Sequence, residues 1–473
     1  MLVMKFGGSS LGSPERIQAV LDIIREKAAE PQRLACIVSA MGGVTDALIS
    51  MAVCAARSDA NYLPLLIELQ ERHFGAARAL LPAAASSEAC SYMDEQFREL
   101  AHILQGVFLI RELSLRTQDL IMSFGERFNA YLISCALKQY IPEALFWDAR
   151  ALIKTDTGFG AARVFLPQSY ALLSQRWVER PCLPIITGFI AATEQGETTT
   201  LGRGGSDYTA AIVGVALHAE EIEIWTDVDG MMTADPRKVF QAFPIAEMSY
   251  KEALEMSHFG AKVIHPPTVL PAMQHSIPLR IKNTFSPQAA GTLVSVAPCR
   301  DKDPLPICGI SSIDDVALMR LEGGGMVGVC GVAMRLFGAL ANKQISVILI
   351  SQGSSEHSIC FAIAPSSAQK AKEAIEEAFS LEICAGLIDS IAIEVRLAVI
   401  AIVGENMRRT SGIAGKLFGA LGRNGINVIA IAQGSSEYNI SVVIGKEDET
   451  KALNVVHEEF FLSAINTVHL FSG

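Results

Sequence analysis

A repeat with a fixed spacing in the last third of the chain limits what this sequence can fold into. The matched segments are 336–340 with 417–421, 352–356 with 433–437, Met326 with Met407, and Gly331 with Gly412, and all four pairs are 81 residues apart. Separate segments that share one offset indicate a duplicated structural unit. Each copy predicts a strand, a glycine turn, a helix and two further strands. A βαββ-type unit of this size pairs with a second copy to complete its sheet.

The first 300 residues follow a different pattern, in which predicted strands alternate with predicted helices. The predicted strands are 2–6, 34–38, 183–187, 221–225 and 279–281, and the region from 47 to 138 is mostly helical. This alternation predicts an α/β domain with a mainly parallel sheet between helices. Ligands of such a sheet collect at the carboxyl ends of its strands.

Composition excludes several classes of protein. The 473 residues are half hydrophobic and 19% charged, which predicts about three packed domains rather than a disordered chain. The net charge of −11 includes no lysine- or arginine-rich block, so no nucleic-acid partner is expected. The ten cysteines form no CxxC pair, and no residue is assigned as a metal ligand. No signal or membrane-spanning segment is predicted, which favours a cytoplasmic protein.

The first phosphate-binding candidate is the segment 5–10, Lys-Phe-Gly-Gly-Ser-Ser. It places a cation at a strand end, before glycines and the start of a helix, where free backbone N–H groups favour oxyanions. The alternative interpretation is an ordinary turn after a strand. Neither a Walker A motif nor the protein-kinase motifs occur, so the known P-loop and protein-kinase sites are excluded.

Two further segments carry charged residues between glycines. In segment 201–210, Arg203 offers a planar fork for a carboxylate, whereas the alternative is a helix capped by Ser206 or Asp207 with Arg203 solvated. In segment 225–230, acidic residues follow a predicted strand and could orient a nucleotide or a metal-bound water. The alternative there is a tight Asp-Gly turn.

Six ordered motifs together resemble the aspartokinases of the amino-acid-kinase family. They are 5–10, 39–45, 124–127 (Phe-Gly-Glu-Arg), 202–207, 225–230 and 259–263 (Phe-Gly-Ala-Lys-Val). The 81-residue repeat is similar to the tandem ACT domains of such enzymes. Segments 224–230 and 431–437 are most similar to the kinase half of bifunctional aspartokinase–homoserine dehydrogenases.

The resemblance implies a fold and domain boundaries. We expect an amino-acid-kinase domain at 1–298, followed by two ferredoxin-like βαββαβ ACT domains at 299–473. In the family the first ACT domain is commonly inserted into the second. This arrangement places the first ACT domain at about 316–392 and the second at about 303–315 plus 393–473.

The resemblance also implies site residues and their roles. Lys5 and Asp207 are expected to be catalytic. The residues expected to bind ATP are Lys5, Gly7, Gly8, Ser9, Thr226, Asp227, Arg237, Lys262 and Val263. Those expected to surround L-aspartate are Ser39, Thr45, Glu126, Arg203, Gly204, Ser206 and Asp207. The implied reaction is ATP- and Mg²⁺-dependent phosphorylation of the aspartate β-carboxylate to 4-phospho-L-aspartate, the first step toward lysine, threonine, methionine and diaminopimelate.

The chemistry of aspartate agrees with these roles. Its β-carboxylate has an ordinary pKa of about 3.9, so it is ionised at neutral pH and needs no general base. Positioning and charge neutralisation must then lower the barrier, and Lys5, backbone N–H groups and Mg²⁺ are suited to this. Glu126 and Asp207 could each bind the α-ammonium or orient Lys5, and the sequence leaves both assignments open.

Regulation and assembly are expected from the same resemblance. Gln352 and Gln433 occupy equivalent repeat positions and are expected to bind an amino-acid effector, threonine before lysine, although a polar hairpin turn is the alternative interpretation. Pairing of ACT domains between chains predicts a homodimer or a larger homo-oligomer. Two alternative functions remain: a kinase of another carboxylate amino acid, such as glutamate or acetylglutamate, and a catalytically silent amino-acid sensor.

Overall fold

The computed structural model describes residues 1–179, 182–261, 264–298, 305–353, 357–389, 391–434 and 437–462. These residues form two compact units. The N-terminal unit takes its residues from Met1–Met231, Ala246–Tyr250 and Val263–Pro298, and the C-terminal unit from Met232–Ile245, Lys251–Lys262 and Cys299–Gly473. The chain therefore passes between the two units several times.

Strands and helices alternate as the sequence predicts. The strands are β1 (Leu2–Phe6), β2 (Leu34–Val38), β3 (Ala144–Trp147), β4 (Lys154–Thr155), β5 (Leu183–Thr187), β6 (Ile190–Thr193), β7 (Thr198–Thr200), β8 (Glu221–Thr226), β9 (Glu247–Ser249), β10 (Leu279–Asn283), β11 (Thr292–Ser295), β12 (Gly309–Glu322), β13 (Val347–Gln352), β14 (Ser358–Ile363), β15 (Ala392–Val403), β16 (Ala430–Ala432) and β17 (Asn439–Gly445). The α-helices are α1 (Pro14–Ala28), α2 (Val44–Ala56), α3 (Tyr62–Leu80), α4 (Ala83–Ile110), α5 (Leu115–Lys138), α6 (Leu166–Glu179), α7 (Gly205–Ala216), α8 (Tyr250–His258), α9 (Leu270–Gln274), α10 (Val332–Asn342), α11 (Ala368–Ala378), α12 (Ser380–Cys384), α13 (Ile413–Arg423) and α14 (Glu449–His457).

The N-terminal unit is built on a mainly parallel sheet with the strand order β3-β5-β2-β1-β8-β10-β11-β9. The pairs from β3 to β10 are parallel, and β10 with β11 is antiparallel. β1 lies between β2 and β8 and is apolar except at Lys5, because both faces of an interior parallel strand are covered. The mainly parallel sheet that the sequence predicts is confirmed.

Local sequence signals explain where the helices of this unit begin. At α1, the Ser13 side chain accepts a hydrogen bond from the Arg16 N–H (3.4 Å) and Pro14 occupies the first position, where its missing N–H costs nothing. At α5, Ser114 caps the Thr117 N–H in the same way (3.2 Å). Most of α5 is buried, and helices α1 to α5 share one hydrophobic core with β1 and β2. This core fixes α5 beside the carboxyl end of β2.

A small second sheet in this unit has the order β4-β6-β7. β6 and β7 pair as antiparallel neighbours, with Ile190 opposite Thr200. All three residues of β7 are buried threonines. β7 ends at Thr200, directly before the glycine-rich segment 201–205 that leads into α7.

The C-terminal unit contains a sheet with the order β13-β14-β12-β15-β17-β16. β12 is long enough to pair with two strands. Gly309–Ile313 pair with residues 399–403 of β15, whereas 317–322 pair with β14 on one side and 318–320 also pair with residues 392–394 of β15 on the other. The register shifts between these two parts of β12. β13 and β16, at the two ends of the strand order, contact each other, so the sheet folds back on itself.

The 81-residue repeat appears as two equivalent units of structure. α10 and α13 begin after Gly331 (φ 92°) and Gly412 (φ 85°), a left-handed conformation that glycine adopts without strain. Leu336 and Leu417 are both fully buried in separate cores. The order β12-α10-β13-β14-α11-β15, with the short α12 before β15, confirms the βαββαβ unit that the sequence predicts.

The strand and helix predictions for the N-terminal half are also confirmed, with β8 and β10 extending slightly beyond their predicted ends. Within the described ranges, no helix has both the length and the apolar character needed to cross a membrane. The predicted domain boundaries stay a prediction, because the two compact units do not divide at a single point of the chain.

Candidate active site

The predicted site residues of the N-terminal unit gather at the carboxyl edge of the parallel sheet. β5, β2, β1 and β8 are adjacent in this order, and the loop after each of the first three bonds to the end of the next strand. Gly188 N–H donates to Val38, Ser39 N–H to Phe6, and Gly7 N–H to Trp225 (2.9–3.2 Å). Segments that are far apart in sequence therefore meet at one edge.

An ion pair between Lys5 and Asp207 lies in this region. The Lys5 ammonium extends from β1 to the Asp207 carboxylate on α7, with Nζ and Oδ1 2.6 Å apart. Only 11% of the Lys5 side chain and 13% of the Asp207 side chain are exposed. Removing either partner would leave an uncompensated charge that is largely shielded from water. The pair fixes the position of the ammonium relative to α7.

The first residues of α2 and α7 line one cleft together with Lys5. Helix N-termini carry unpaired N–H groups and partial positive charge, which favour anions. α7 follows Gly204, whose φ of 71° suits glycine, and a Cβ atom there would lie 2.7 Å from the Cβ of His265. Gly204 therefore lets the backbone lie closer to the His265 side chain than a residue with a Cβ atom would allow.

The glycine turn after β1 forms the floor next to Lys5. A Cβ atom on Gly7 would lie 3.6 Å from the Lys5 ammonium, and one on Gly8 would lie 3.2 Å from the Ala40 carbonyl oxygen. Glycine thus leaves room beside the cation that a side chain would fill. The Ser9 carbonyl accepts a hydrogen bond from Arg16 (2.8 Å), which holds the turn against α1. Gly7 and Gly8 line the cleft, whereas Ser9 lies outside its lining.

Two serines join β2 to α7. The Ser39 hydroxyl donates to the Ser206 hydroxyl (2.9 Å), although the two residues are 167 positions apart. Thr45 lies in the first turn of α2 and lines the same cleft. Three of the residues that the sequence assigns to the aspartate pocket therefore line the same cleft.

Glu126 brings a buried carboxyl group to the cleft from α5. It is 3% exposed, and its Oε1 accepts a hydrogen bond from the Ala40 N–H (3.2 Å). Oε2 is buried and has no hydrogen-bond partner among the described residues. Burial raises the pKa of Glu126 to about 8, and the Ala40 hydrogen bond only partly opposes this. An incoming cation would relieve the cost of ionising this group.

Arg203 supplies a second positive charge to the cleft. Its side chain is exposed, and no ion-pair partner is found for it in the part of the chain that the structure describes. Burial and the charge of Arg203 lower the pKa of the neighbouring His265, while Asp207 opposes this effect. The guanidinium is therefore available to a ligand with a carboxylate.

These groups surround a cleft of about 620 Å³. Of the residues that the sequence assigns to aspartate binding or catalysis, it is lined by Lys5, Ser39, Thr45, Glu126, Arg203, Gly204, Ser206 and Asp207. Two cations, a buried carboxyl group with an unpaired oxygen and two helix N-termini converge here. Such a cleft complements a small molecule with two carboxylates and one ammonium.

Of the other predicted nucleotide residues, Thr226 and Asp227 lie at the end of β8 and are not part of this lining. Thr226 ends β8 and its hydroxyl donates to Asp227 (3.1 Å). Arg237 belongs to the C-terminal unit, where its guanidinium pairs with Asp235 (2.7 Å). Lys262 and Val263 lie outside the described residues. The structure thus brings the predicted aspartate residues together with three of the predicted nucleotide residues, Lys5, Gly7 and Gly8.

The two predicted effector residues lie at strand ends in the C-terminal unit. Gln352 is the last residue of β13, and Gln433 follows β16 directly. Both side chains are exposed. Because β13 and β16 contact each other, the two amides lie at the ends of neighbouring strands.

Two residues that support the cleft were missed by the sequence analysis. Arg72 on α3 donates to the carbonyl oxygens of both Gly12 (2.9 Å) and Gly42 (2.8 Å), which ties the loops after β1 and β2 together. Asn129 on α5 donates to the Ser39 carbonyl (2.6 Å). Asn129 lies three residues after Glu126, on the same helix face, and this spacing was the only available signal for it.

Comparisons with known proteins agree with the geometry. Residues 1–283 match the model of the amino acid kinase family, and residues 319–379 and 400–460 match an ACT domain. The bifunctional aspartokinase/homoserine dehydrogenase 2 of Arabidopsis thaliana is 38% identical over 98% of this chain and 51% of its own length. Aspartokinase 1 of the same plant is 32% identical over 98% of this chain and 80% of its length. The chain spans about half the length of the bifunctional relatives.

Solved structures show the same likeness. The crystal structure of E. coli aspartokinase III with aspartate and ADP is 28% identical, with a TM-score of 0.81 over 98% of this chain and all of the other. The lysine- and aspartate-bound structure of that enzyme has a TM-score of 0.77, again over 98% of this chain and 99% of the other. The family match covers more than half of the chain, and Aspartokinase 1 is matched over most of its length. The chain therefore belongs to the amino acid kinase family and, within it, to the aspartokinases that carry ACT domains.

Proposed function

We propose that this protein is an aspartate kinase, which transfers the γ-phosphoryl group of ATP to the β-carboxylate of L-aspartate. The observation that carries the proposal is the convergence of Lys5, Arg203 and Glu126 in one cleft. Two cations match the two carboxylates of aspartate, and a buried carboxyl group matches its ammonium. The aspartokinase relatives support the same substrate, and the E. coli structure contains aspartate and ADP.

The reaction needs no general base. The ionised β-carboxylate oxygen attacks the γ-phosphorus, a P–O bond forms, and the bond from that phosphorus to the β,γ-bridging oxygen breaks to release ADP. Both reactants are anionic, so the Lys5 ammonium lowers the barrier by offsetting the charge that they bring together. Asp207 keeps that ammonium in place through the 2.6 Å ion pair. The product is the acyl phosphate 4-phospho-L-aspartate.

The geometry supports separate roles for the two acidic residues. Asp207 is already paired with Lys5, so it acts on the phosphoryl side of the cleft. Glu126 has an unpaired oxygen and no cation, so it is suited to the α-ammonium. The Arg203 guanidinium binds the α-carboxylate through two parallel hydrogen bonds. The rest of the pocket is lined by Ser39, Thr45, Gly204 and Ser206.

The nucleotide is held, in this proposal, at the turn formed by Gly7, Gly8 and Ser9, with Lys5 beside it. The space that a Cβ atom on Gly7 would fill is suited to a phosphate oxygen next to the ammonium. Thr226, Asp227, Arg237, Lys262 and Val263 are proposed to bind the rest of ATP. The Mg²⁺ ion is proposed to be held mainly by the nucleotide phosphates. When bound, Mg²⁺ neutralises charge on those phosphates.

The C-terminal repeat is proposed to be regulatory. We place the kinase domain at 1–298, the first ACT domain at about 316–392 and the second at about 303–315 plus 393–473. The pairing of Gly309–Ile313 with the second half of β15 supports this inserted arrangement. A homodimer or larger oligomer through the ACT domains and a cytoplasmic location are further proposals. Several plant relatives are chloroplastic.

Substrate specificity and the role of Lys5 are tested in one assay. Acyl phosphate formed with ATP and Mg²⁺ is trapped as hydroxamate, with L-aspartate, L-glutamate or N-acetylglutamate as acceptor. We expect product from aspartate alone. We expect Lys5→Met to lower its kcat by about 10²–10³-fold, because one preorganised cation is lost from the transition state. Lys27→Met, which removes a surface ion pair with Glu30, is the matched control and should keep its activity.

Three results would contradict this proposal. Product from glutamate or N-acetylglutamate instead of aspartate would identify a kinase of another carboxylate. Absence of product from any acceptor, in folded protein that binds ATP, would favour an amino-acid sensor. Lys5→Met at the wild-type rate would refute the role of Lys5. The melting temperature of each variant separates a lost reaction from a lost fold, because Asp207 loses its partner.

Aspartate binding should release a proton at pH 7. Unliganded Glu126 keeps its proton up to about pH 8, and an adjacent ammonium favours the ionised form and lowers this pKa. Isothermal titration calorimetry in two buffers with different ionisation enthalpies should therefore show release of up to about one proton per aspartate. Glu126→Gln should abolish this release. Glu223 is another buried carboxyl group with a raised pKa, and it accepts a hydrogen bond from the Trp225 indole N–H. As the control, Glu223→Gln should leave the proton release unchanged.

The same group sets a pH dependence of stability without ligand. Unfolded Glu126 loses its proton near its ordinary pKa of 4.5, whereas the folded protein keeps it until about pH 8. The folded state binds more protons between these values, so its free energy of unfolding falls as pH rises through this window. Glu126→Gln should remove this part of the fall. Identical pH slopes, or identical proton release, in wild type and Glu126→Gln would contradict the assignment.

The effector is proposed to be threonine rather than lysine, bound near Gln352 and Gln433. We expect threonine to inhibit the wild-type enzyme at lower concentration than lysine does. Gln352→Ala and Gln433→Ala should each raise the half-inhibiting threonine concentration by about tenfold without changing the uninhibited rate. Gln369→Ala, an exposed glutamine on α11, is the control. This proposal would be contradicted if neither amino acid changed the rate, or if inhibition by threonine survived both substitutions.

A further inference from the structure

Asp119 is a fully buried carboxylate that the proposed reaction does not use. It lies on α5, seven residues before Glu126, so the two side chains share one face of the helix. Its Oδ2 accepts hydrogen bonds from the Gly160 N–H (2.8 Å) and the Thr200 N–H (2.9 Å), and its Oδ1 accepts one from the Thr200 hydroxyl (2.7 Å). Among the described residues, no lysine or arginine forms an ion pair with it.

The two segments that Asp119 holds both line the cleft. Gly160 and Thr200 are part of its lining, and Thr200 is the last residue of β7. The Thr200 carbonyl also accepts a hydrogen bond from Ala162 (2.9 Å). A Cβ atom on Gly202 would lie 3.1 Å from the Cβ of Ala161, so the turn around Ala161 packs directly on the segment that carries Arg203.

The energetics indicate that the three hydrogen bonds have a positional role. Burial disfavours the charge and raises the pKa of Asp119, while the bonds from Gly160 and Thr200 oppose the shift. A buried charge without a cation is an expensive way to stabilise a fold. It is, however, a rigid way to fix two backbone segments relative to a helix, because one carboxylate accepts from all three donors at once.

We propose that Asp119 is a positioning residue that sets the distance between Arg203 and Glu126. Both ends of that distance depend on α5: Glu126 is on the helix itself, and Arg203 follows Thr200, which Asp119 anchors to the same helix. This inference rests on the proposed function, in which Arg203 and Glu126 bind the α-carboxylate and α-ammonium of one amino acid. A shift of the 201–204 segment would then weaken aspartate binding without affecting the nucleotide turn at Gly7 and Gly8.

Two substitutions at position 119 separate this role from a general effect on stability. Asp119→Ala removes all three acceptors, and we expect the KM for aspartate to rise by about tenfold or more while the KM for ATP changes less than about twofold. Asp119→Asn keeps an oxygen for both backbone N–H groups, and its amide can donate to the Thr200 hydroxyl. We expect its KM for aspartate to stay within about threefold of the wild type.

Controls make each outcome decisive. Ser134→Ala removes another buried polar group of α5, which bonds only within its helix, and should not change either KM. If Asp119→Ala does not fold, Thr200→Val tests the same anchor by removing the bond to Oδ1, and it should raise the KM for aspartate by about threefold.

The inference fails separately from the proposed function. Wild-type protein that does not phosphorylate aspartate would refute the function. If the wild type is active, three results would each refute the positioning role alone. Two are a folded Asp119→Ala variant with an unchanged KM for aspartate and an Asp119→Asn variant as impaired as Asp119→Ala. The third, where Asp119→Ala does not fold, is a Thr200→Val variant with an unchanged KM for aspartate.

Discussion

The ion pair between Lys5 and Asp207 depends on the parallel arrangement of the central strands. Because β1 is interior and parallel to both neighbours, its single charged residue ends up at the carboxyl edge of the sheet, beneath α7. Every residue of β1 pairs with a strand on each side, so the backbone from which the Lys5 side chain extends is fixed. Asp207 then orients an ammonium that would otherwise be a flexible point charge.

The cleft combines charge with restricted access to water. Lys5 and Asp207 are mostly covered, Glu126 is almost completely covered, and Arg203 is exposed. Electrostatic effects are stronger at the covered groups than at the exposed one, because the surroundings of the covered groups polarise less than water. The covered pair of Lys5 and Asp207 is suited to phosphoryl transfer between anions. The α-groups of the amino acid would meet one covered group, Glu126, and one exposed group, Arg203. α5, most of which is buried, carries Glu126 into the cleft.

Sequence reasoning identified the strands, helices and repeat that build the cleft better than the residues that hold its loops in place. The strand ends at Phe6 and Val38, the helix after Gly204 and the 81-residue repeat are local or periodic signals, and the structure confirms them. Arg72, Asn129 and Asp119 were missed because each acts through hydrogen bonds to the backbone of a segment far away in sequence. Such contacts do not require a particular residue type at the accepting or donating position. The separate roles proposed for Glu126 and Asp207 also required coordinates, since the sequence shows neither the ion pair of Asp207 with Lys5 nor the buried, unpaired oxygen of Glu126.

The central claim is that one cleft holds the β-carboxylate of aspartate at Lys5 and its α-groups at Arg203 and Glu126. A crystal structure with L-aspartate and a non-hydrolysable ATP analogue tests it most directly. The account predicts the β-carboxylate within hydrogen-bonding distance of the Lys5 ammonium or the adjacent γ-phosphate, the α-carboxylate on the Arg203 guanidinium, and the ammonium on the free oxygen of Glu126. Aspartate bound in the reverse orientation, with its α-carboxylate toward Lys5, or bound outside this cleft, would contradict it.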